Sequence, residues 1–158
     1  MIQHPFPPLF DKESKILILG SFPSVKSREQ QFFYGHPQNR FWKVTAAVMG
    51  CEVPATIDEK KKFLHENHIA LWDTIAACEI TGSSDSSIKN VIPNDLGEIL
   101  STADIKKIYV NGRASEKYFK KYQEPILGRS AVYLPSTSPA NAAMSLDKLI
   151  IEWNKIKI

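Results

Sequence analysis

The sequence predicts an α/β fold with three layers, in which helices cover both faces of a central sheet of four parallel strands. Short apolar runs of the kind that form buried strands alternate along the chain with segments whose apolar residues recur at helical spacing. Such alternation is typical of parallel sheets, because a crossover helix carries the chain back to the edge where the previous strand began. The length of 158 residues suits a single domain, 1–158.

The predicted strands lie at residues 15–20, 69–72, 108–110 and 131–134. The first is an unbroken apolar run that ends at Gly20, which indicates a strand buried on both faces. The third ends at Asn111-Gly112 and the fourth is closed by Pro135, and these residues favour turns. Residues 5–8, which are rich in proline, are predicted to form an extended arm before the first strand.

Helices are predicted between these strands and after the last one. The first helix, residues 41–49, keeps its apolar side chains on one face, and Gly50 suits its end. The second begins with a capping box, in which Thr56 and Glu59 each bind the other's backbone N–H. Asn94 is predicted to cap the third. This third helix is predicted at residues 94–103, and two more are predicted at residues 114–122 and 146–153.

Composition excludes several classes of protein. Hydrophobic residues make up 43% of the chain and charged residues 23%, which is typical of a globular protein and not of a disordered one. No apolar run approaches the roughly 20 residues of a membrane span, and the N-terminus lacks the pattern of a secretory signal. The net charge of +3 allows a local basic patch for an anionic partner.

The two cysteines, Cys51 and Cys78, lie in apolar stretches and are predicted to be reduced core residues of an intracellular protein. His65 and His68 adjoin a lysine-rich helix and are predicted to be surface residues rather than zinc ligands. We expect a cytoplasmic protein, and because nothing in the sequence requires an oligomer, we expect a monomer.

The segments that follow the predicted strands are where chemistry is expected, because ligands of parallel sheets bind beyond the carboxyl ends of the strands. These segments are residues 21–38, 73–90, 111–113 and 135–141. The first is predicted to be loop throughout, and loops of that length in compact domains are usually functional. Walker A, Gly-x-Gly-x-x-Gly and Gly-x-Ser-x-Gly sequences are absent, so nucleotide hydrolysis, dinucleotide redox chemistry and lipase-type acyl transfer lack sequence support.

The segment after the first strand combines aromatic rings with polar side chains. Phe22 and Tyr34 offer flat faces on which a planar base could stack, or they cover the sheet end as core. His36 is either an acid, base or phosphate contact or a polar surface residue. Asn39 is of a type preferred at helix caps, and because capping uses one side-chain oxygen, its NH₂ group stays available to a pocket.

The segment after the fourth strand, Pro135-Ser136-Thr137-Ser138-Pro139-Ala140-Asn141, is rigid and rich in hydroxyl groups. Hydroxyls and amides held between prolines suit a clamp on phosphates, and the plain alternative is a turn before the last helix. Asp85, in the Ser-rich segment 83–87, is predicted to contact a base or to form an Asx turn.

Together these loops resemble the motifs of the uracil-DNA glycosylase superfamily. Gly20-Ser21-Phe22-Pro23-Ser24 is similar to its first motif, and residues 33–43 resemble the following segment in the mismatch-specific uracil/thymine glycosylases. Val110-Asn111-Gly112-Arg113 resembles the Asn-Gly-Lys strand end of that group. Residues 134–141 stand where the superfamily has its second motif, the loop that enters DNA. The similarity extends from about residue 15 to the C-terminus.

Two positions depart from the usual pattern of the superfamily. Many members place Asp or Asn third in the first motif to position the attacking water, and this chain has Phe22 there. Many place His or Asn at the start of the second motif to polarise the base carbonyl, and this chain has Leu134. These departures weigh against ordinary uracil excision. The combination is similar to the hypoxanthine-DNA glycosylase branch, which is implied to excise deaminated adenine from deoxyinosine without metal or cofactor.

The resemblance implies a uracil-DNA glycosylase-like fold and a repair enzyme that hydrolyses the N-glycosidic bond of a deaminated base in double-stranded DNA, leaving an abasic site. It implies that Asn39 is the catalytic residue, which holds the water or the base. The base pocket is expected to consist of Gly20, Ser21, Phe22, Pro23, Tyr34, His36, Asp85 and Asn111. Contacts to the DNA backbone are expected from Ser24, Arg113, Ser136, Thr137, Ser138 and Asn141.

Three alternatives stay open at this point. One is an enzyme of the same fold that excises uracil or thymine from mismatches, which a panel of substrates would separate. The second is a lesion-binding module without catalysis, which would leave no abasic sites for alkali to reveal. The third is a flavodoxin-like binder of small molecules, since a fold does not fix a function.

Overall fold

A sheet of four parallel strands forms the centre of the computed structural model, which describes residues 1–157. The strands are β2 (Ile16–Gly20), β3 (Ile69–Asp73), β6 (Lys107–Asn111) and β7 (Val132–Leu134), in the order β3-β2-β6-β7. All three neighbouring pairs are parallel, so the predicted central sheet is confirmed. Both β2 and β3 are buried along their whole length, as in a sheet that is covered on both faces.

Helices cover both faces of this sheet because its crossovers run in opposite directions. The connection from β2 to β3 moves toward one edge of the sheet, and the connection from β6 to β7 moves toward the other. Right-handed crossovers in opposite directions place their helices on opposite faces, which gives the three predicted layers. The helices are α1 (Val25–Gln30), α2 (Phe41–Met49), α3 (Ile57–Glu66), α4 (Gly97–Thr102), α5 (Arg113–Tyr118), α6 (Glu124–Leu127) and α7 (Leu146–Trp153).

A second, antiparallel sheet is absent from the sequence prediction. It consists of β1 (Ile2–Gln3), β4 (Ile75–Glu79) and β5 (Lys89–Pro93) in the order β1-β4-β5. The segment 73–90, in which no strand is predicted, contains β4, which follows β3 after the single residue Thr74, and most of β5 lies just beyond the Ser-rich segment 83–87. These strands are short and irregularly paired, so their apolar alternation is too brief to recognise in the sequence.

The N-terminal arm is packed against the body of the protein. After β1, the His4 N–H donates to the Ala76 carbonyl at 2.8 Å, and Leu9 forms an antiparallel bridge with Leu71 of β3. Phe6 and Leu9 are buried. The first ten residues thereby close one side of the central sheet.

Two predicted features of the helices differ in the structure. The predicted loop 21–38 contains α1, which Ser24 caps by accepting a hydrogen bond from the Ser27 N–H at 3.2 Å. Asn94 does not cap a helix, because α4 begins at Gly97 and the Asn94 amide donates to the carbonyls of Asp73 and Ile75 instead. The predicted helix at 114–122 is α5 followed by a π-helical turn, Phe119–Gln123.

The capping box at the start of α3 is confirmed, with both Thr56 and Glu59 hydrogen bonds present. Cys78 is buried as predicted, whereas the prediction for Cys51 is wrong: this residue is exposed because it follows the end of α2 at Gly50. No helix among residues 1–157 is both long enough and apolar enough to cross a membrane.

Candidate active site

A cavity of about 290 Å³ lies at the carboxyl end of the central sheet, where the segments that follow β2, β3, β6 and β7 meet. Strand ends from distant parts of the chain converge here because all four strands run in one direction. The lining residues are Gly20, Ser21, Phe22, Pro23, Ser24, Ser27, Phe33, Tyr34, His36, Asn39, Asp73, Ser83, Asp85, Asn111, Ser136, Thr137, Ser138, Pro139 and Ala140.

Most residues predicted for the site lie around this one cavity. All the predicted base-pocket residues line it, together with Asn39, Ser24 and the hydroxyl residues of the 135–141 loop. Arg113 and Asn141 do not line it. Arg113 is exposed, pairs with Glu116 at 2.9 Å and lies over the Tyr133 ring at 3.7 Å, so it is placed on the surface outside the cavity.

Gly20 allows two polar groups to approach the end of β2. A Cβ atom at Gly20 would lie 2.5 Å from Asp73 Oδ1 and 3.2 Å from Tyr34 Oη. The first distance is a steric clash, so the absence of a side chain brings the carboxylate and the hydroxyl beside the backbone at this point. The cavity floor is built on this close approach.

Asp73 forms a nearly buried pair with His4. His4 Nε2 donates to Asp73 Oδ2 at 2.7 Å, and the two side chains are 3% and 6% exposed, respectively. Aromatic rings surround the imidazole, with centroids 4.4 Å away for Trp72 and 4.6 Å away for Phe6. This packing fixes the orientation of the imidazole and, through the hydrogen bond, that of the carboxylate.

Tyr34 lines the cavity with a backbone φ of 51°, and its ring stacks on Phe41 with centroids 4.1 Å apart. Burial and the negative charge of Asp73 raise the pKa of Tyr34 well above its usual value, so the phenol keeps its proton. Its hydroxyl is buried, and the neighbouring Asn111 side chain partly offsets the rise in the pKa of Tyr34.

Asn39 forms a turn immediately before α2, whose N-cap is Arg40 and not the predicted Asn39, and it still presents its amide group. Asn39 Oδ1 accepts a hydrogen bond from the Phe41 N–H at 2.9 Å at the start of α2. This bond fixes the side chain and distinguishes its two ends, and Nδ2 has no hydrogen-bond partner among the described residues. Asn39 is half-buried and lines the cavity, so a fixed NH₂ donor is available to a ligand.

Arg40 holds the loop that forms the opposite wall. Its guanidinium donates to the backbone carbonyls of Met144, Asn141 and Ser138, and its backbone N–H donates to the Thr137 carbonyl at 3.0 Å. Bonds from a charged donor are stronger than neutral ones. The residue next to Asn39 therefore sets the position of residues 137–144.

The 135–141 loop is also held together by its own side chains. Ser136 Oγ accepts from the Ser138 N–H at 3.1 Å, and the Asn141 amide donates to the Ser136 carbonyl at 3.0 Å. Thr137 is completely buried and is bonded to Asn111 through both its amide and its hydroxyl. Thr137 thus supports the loop from inside, while Ser136 and Ser138 keep part of their surface exposed.

The Ser-rich loop, residues 81–87, closes the side of the cavity next to α1. Asp85 Oδ1 accepts a hydrogen bond from Ser21 Oγ at 3.0 Å, and Arg28 donates to the Gly82 carbonyl at 2.9 Å. Desolvation raises the pKa of Asp85, although the Ser21 hydrogen bond acts in the opposite direction. The carboxylate therefore binds a neighbouring hydroxyl and does not form the alternative Asx turn.

The model of the family described as the uracil DNA glycosylase superfamily matches residues 7–156 of the chain. The protein belongs to the uracil DNA glycosylase superfamily. The resemblance drawn from its loops is thereby confirmed.

Relatives within the superfamily match almost the whole chain. The hypoxanthine DNA glycosylase of Methanosarcina acetivorans is 36% identical over 161 residues, which cover 99% of this chain and 98% of that protein. The hypoxanthine DNA glycosylase of Methanosarcina barkeri is 34% identical over 141 residues, or 86% of each chain. The solution structure of a candidate uracil DNA glycosylase from M. acetivorans has a TM-score of 0.83 and 34% identity, covering 99% of this chain and 96% of that one.

The two departures from the usual superfamily motifs have different structural settings. Phe22 lines the cavity and packs beside the His4 ring, with centroids 5.9 Å apart. Leu134 is completely buried and does not line the cavity. Leu134, at the start of the second motif, therefore belongs to the core, whereas Phe22, in the first motif, forms an apolar part of the cavity wall.

Sequence reasoning missed three residues of the site: His4, Asp73 and Arg40. Asp73 is the last residue of β3 and lies at the carboxyl end of the sheet. A polar residue at the end of a predicted parallel strand is the signal by which it could have been predicted. His4 carries no comparable signal: it does not line the cavity, and it meets Asp73 only through the pairing of β1 with β4. The contacts of Arg40 span about a hundred residues, from position 40 to 144, and no local pattern indicates them.

Proposed function

We propose that the protein is a DNA glycosylase that flips a deaminated base into the cavity and hydrolyses its N-glycosidic bond, with hypoxanthine of deoxyinosine as the main substrate. The observation that carries this proposal is the fixed NH₂ group of Asn39 on the cavity wall, in a chain whose nearly full-length relatives are named hypoxanthine DNA glycosylases. The product is an abasic site.

The cavity suits a flipped base. Its volume of about 290 Å³ is near the lower end of the range for small-ligand sites, roughly 300–1,000 Å³. Phe22 and Tyr34 supply flat apolar surface against which a purine can lie. Extruding a base costs a few kcal/mol and costs least for a mismatched base, which favours lesions over normal pairs.

The chemical step requires stabilisation of the departing base and a water molecule. As the bond between the sugar C1′ and the base nitrogen breaks, its electron pair moves to the base and the sugar becomes oxocarbenium-like; water then adds to C1′ and releases a proton. Asn39 donates from Nδ2 to the leaving base or aligns the water. An amide does not ionise, so it offers no strong base, and we expect a slower enzyme than one with a carboxylate at this point.

The DNA backbone lies over the loops at the cavity rim in this proposal. Ser24, Ser136 and Ser138 line the cavity and are partly exposed, so their hydroxyls are available to phosphates. Arg113 supplies an exposed cation at the carboxyl end of the same sheet. These groups fit double-stranded DNA, and the net charge of +3 favours an anionic partner.

We also propose that the enzyme works as a monomer in the cytoplasm. One chain supplies every residue that lines the cavity. Cys51 and Cys78 are both free thiols, which is typical of proteins in reducing compartments.

The test uses end-labelled duplexes that carry one deoxyinosine, incubated with the protein in EDTA and then heated in alkali. Strand breaks at deoxyinosine with the wild-type protein, and their loss with Asn39→Ala, are the expected result. Gln38→Ala is the matched control, because Gln38 is exposed beside Asn39 and does not line the cavity. Normal cleavage by a folded Asn39→Ala variant would contradict the role of Asn39.

Excision of uracil from mismatches is the second candidate, and the similarity to the candidate uracil DNA glycosylase of M. acetivorans favours it. A duplex with one deoxyuridine in the same assay separates the two activities. Breaks at deoxyuridine alone would assign the cavity to uracil, and breaks at neither base would support a lesion-binding module.

A further inference from the structure

The proposed hydrolysis requires a group that accepts a proton from the attacking water. Asn39 does not supply this group, because an amide does not ionise. Within residues 1–157, the ionisable side chains that line the cavity are Tyr34, His36, Asp73 and Asp85. Tyr34 is excluded, because burial raises its pKa and the phenol already carries its proton. The other three differ in their hydrogen bonds and in their depth.

His36 already uses the nitrogen that could accept a proton. The Gln38 backbone N–H donates to His36 Nδ1 at 3.1 Å, so the neutral ring carries its proton on Nε2. The remaining nitrogen, Nε2, is therefore a hydrogen-bond donor and takes no proton from water. This leaves the two carboxylates.

The depth of the two carboxylates differs. Asp73 is 4% exposed at the cavity floor, whereas Asp85 is exposed at the rim. In the proposed complex the base fills the cavity and the DNA backbone crosses the rim, so the sugar that joins them lies near the rim. Water attacks the sugar at C1′, which favours Asp85 over Asp73 as the group beside that water.

Asp85 keeps one carboxylate oxygen free. Its Oδ1 atom accepts a hydrogen bond from Ser21 Oγ at 3.0 Å. Within residues 1–157, Oδ2 has neither a hydrogen-bond partner nor a cation paired with it. The Ser21 hydroxyl therefore fixes one oxygen beside the end of β2 and leaves the other available to a water molecule.

The Ser-rich loop, residues 81–87, is held in place by α1. The Val25 N–H donates to Ser83 Oγ at 3.0 Å, and the Arg28 guanidinium donates to the Gly82 carbonyl at 2.9 Å. Together with the Ser21 hydrogen bond, these contacts fix the loop on both sides of the cavity edge. A catalytic side chain needs such support, because small displacements of a reacting group lower the rate strongly.

The surroundings of Asp85 favour uptake of a proton. Desolvation raises the pKa of Asp85, the Ser21 hydrogen bond opposes this rise, and the negative charge of Asp73 adds to it. Desolvation, together with the charge of Asp85, raises the pKa of Cys78 and of Tyr118, so both stay neutral. The ionisable groups around the loop are thus Asp73 of β3, Arg28 of α1, Cys78 of β4, Tyr118 of α5 and His36 on the cavity wall.

A carboxylate at this rim also weakens DNA binding, because it repels the phosphates that cross it. A residue that served only to hold DNA would not carry a negative charge. The charge of Asp85 is therefore better explained by a chemical role than by affinity.

We propose that Asp85 is the general base of the hydrolysis. As the bond between C1′ and N9 of hypoxanthine breaks, its electron pair moves to N9. The water oxygen bonds to C1′, and the proton that it loses passes to Asp85 Oδ2. The hypoxanthine anion then takes a proton from solvent, and Asp85 returns its proton to solvent. This inference rests on the proposed glycosylase function and adds a catalytic residue to the same site, with Ser21 as its positioning residue.

The first test measures single-turnover excision from a deoxyinosine duplex at saturating protein and neutral pH. Asp85→Asn, which still accepts from Ser21, should excise about 100-fold more slowly, at the lower end of the range for general bases. Its affinity for the duplex should stay equal or rise, because a negative charge is removed. Asp104→Asn is the matched control, since Asp104 is an exposed aspartate that precedes β6 and does not line the cavity.

The second test supplies the missing carboxylate from solution. Sodium formate should raise the excision rate of Asp85→Ala about 10-fold above that in sodium chloride of equal ionic strength. Asn39→Ala should gain nothing from formate. Free formate does not replace a contact to the base or a support of the loop, so equal rates in the two salts would overturn the assignment.

The pH dependence tests the role of Ser21. The wild-type rate should rise with pH as Asp85 ionises, with a midpoint above the usual aspartate value of about 3.9, and Asp85→Asn should lack this rise. Ser21→Ala should shift the rise to higher pH, because the hydroxyl stabilises the ionised carboxylate. A merely structural role of Ser21 would lower the rate by the same factor at every pH.

The outcomes separate this inference from the function on which it rests. If the wild-type protein releases no base from the deoxyinosine duplex, the proposed function and this inference both fail. If Asp85→Asn excises hypoxanthine at the wild-type rate, or keeps the wild-type pH dependence, the role of Asp85 is overturned and the glycosylase function stands.

Discussion

Asn111 and Thr137 exchange two hydrogen bonds, each 3.1 Å long, between the end of β6 and the loop that follows β7. The Asn111 side-chain NH₂ group donates to the Thr137 hydroxyl, and the Thr137 backbone N–H donates to Asn111 Oδ1. Because Thr137 is completely buried, water does not replace either bond. The position of the cavity wall at 135–141 therefore depends on one side chain of the neighbouring strand.

Replacing Asn111 with alanine should destabilise the protein by about 1–3 kcal/mol, because it leaves the buried amide and hydroxyl of Thr137 unpaired. Urea unfolding gives the change in the free energy of unfolding, and the same variant should bind duplex DNA more weakly. Asn154→Ala serves as the control, because Asn154 is exposed and does not line the cavity. Equal stability of the two variants would argue against a supporting role for Asn111.

Replacing Gly20 with alanine should abolish most base excision while leaving the fold intact. The added Cβ would lie 2.5 Å from Asp73 Oδ1 and would push the carboxylate out of position. Circular dichroism checks the fold and single-turnover excision checks the activity. Gly97→Ala adds the same methyl group at the start of α4, outside the cavity, and should leave excision unchanged.

Replacing Arg40 with methionine should loosen the loop that Arg40 binds. Loss of charge-assisted bonds to the carbonyls of Asn141 and Met144 should lower the free energy of unfolding by about 1.5–3 kcal/mol. Limited proteolysis should then show faster cleavage within residues 138–144. Lys43→Met removes an exposed cation from α2, the helix that follows Arg40, and should leave the cleavage pattern as in the wild type.

Alkaline pH should destabilise the protein partly through Tyr34. Its folded-state pKa is raised above the unfolded value of about 10, so its contribution to stability is complete below pH 10 and is lost as the pH rises above that value. Above pH 10 the free energy of unfolding should fall by up to about 1.4 kcal/mol per pH unit from this group. Denaturant unfolding between pH 9 and 11.5 should show a shallower decline for Tyr34→Phe than for the wild type or for Tyr133→Phe. Parallel declines would contradict this assignment.

DNA affinity should fall as salt rises, with a slope of log affinity against log salt of about −0.9 for each phosphate contacted. Arg113→Gln should weaken binding to inosine and uridine duplexes equally and reduce that slope by about one contact. Lys107→Gln is the matched control, because Lys107 is an exposed cation at the opposite, amino end of the same strand pair. Binding that is independent of salt would rule out the phosphate contacts.

The elements that the sequence predicts well are those with local causes. The unbroken apolar run that ends at Gly20 is a strand, and the capping box of Thr56 and Glu59 begins a helix, because both depend on neighbouring residues. The cavity lining follows from the same reasoning, since the carboxyl ends of parallel strands meet at one edge.

The features that the sequence does not predict depend on distant pairings. His4 and Asp73 are separated by 69 positions, and their contact requires β1 to pair with β4, a strand too short to recognise by its pattern. Asn94 has the composition of a helix cap, but its amide binds two carbonyls near β3 instead, so tertiary contacts override the local preference.

The cavity depends on residues that lie far apart in the sequence. His4 binds the Asp73 carboxylate of the cavity wall, and Trp153 of α7 donates to the Pro135 carbonyl at 2.9 Å and holds the start of the loop that follows β7. A nascent chain still emerging from the ribosome cannot complete the site until the last helix has been synthesised. Proteolytic removal of residues 1–10 or of α7 should likewise inactivate the enzyme before the central sheet unfolds.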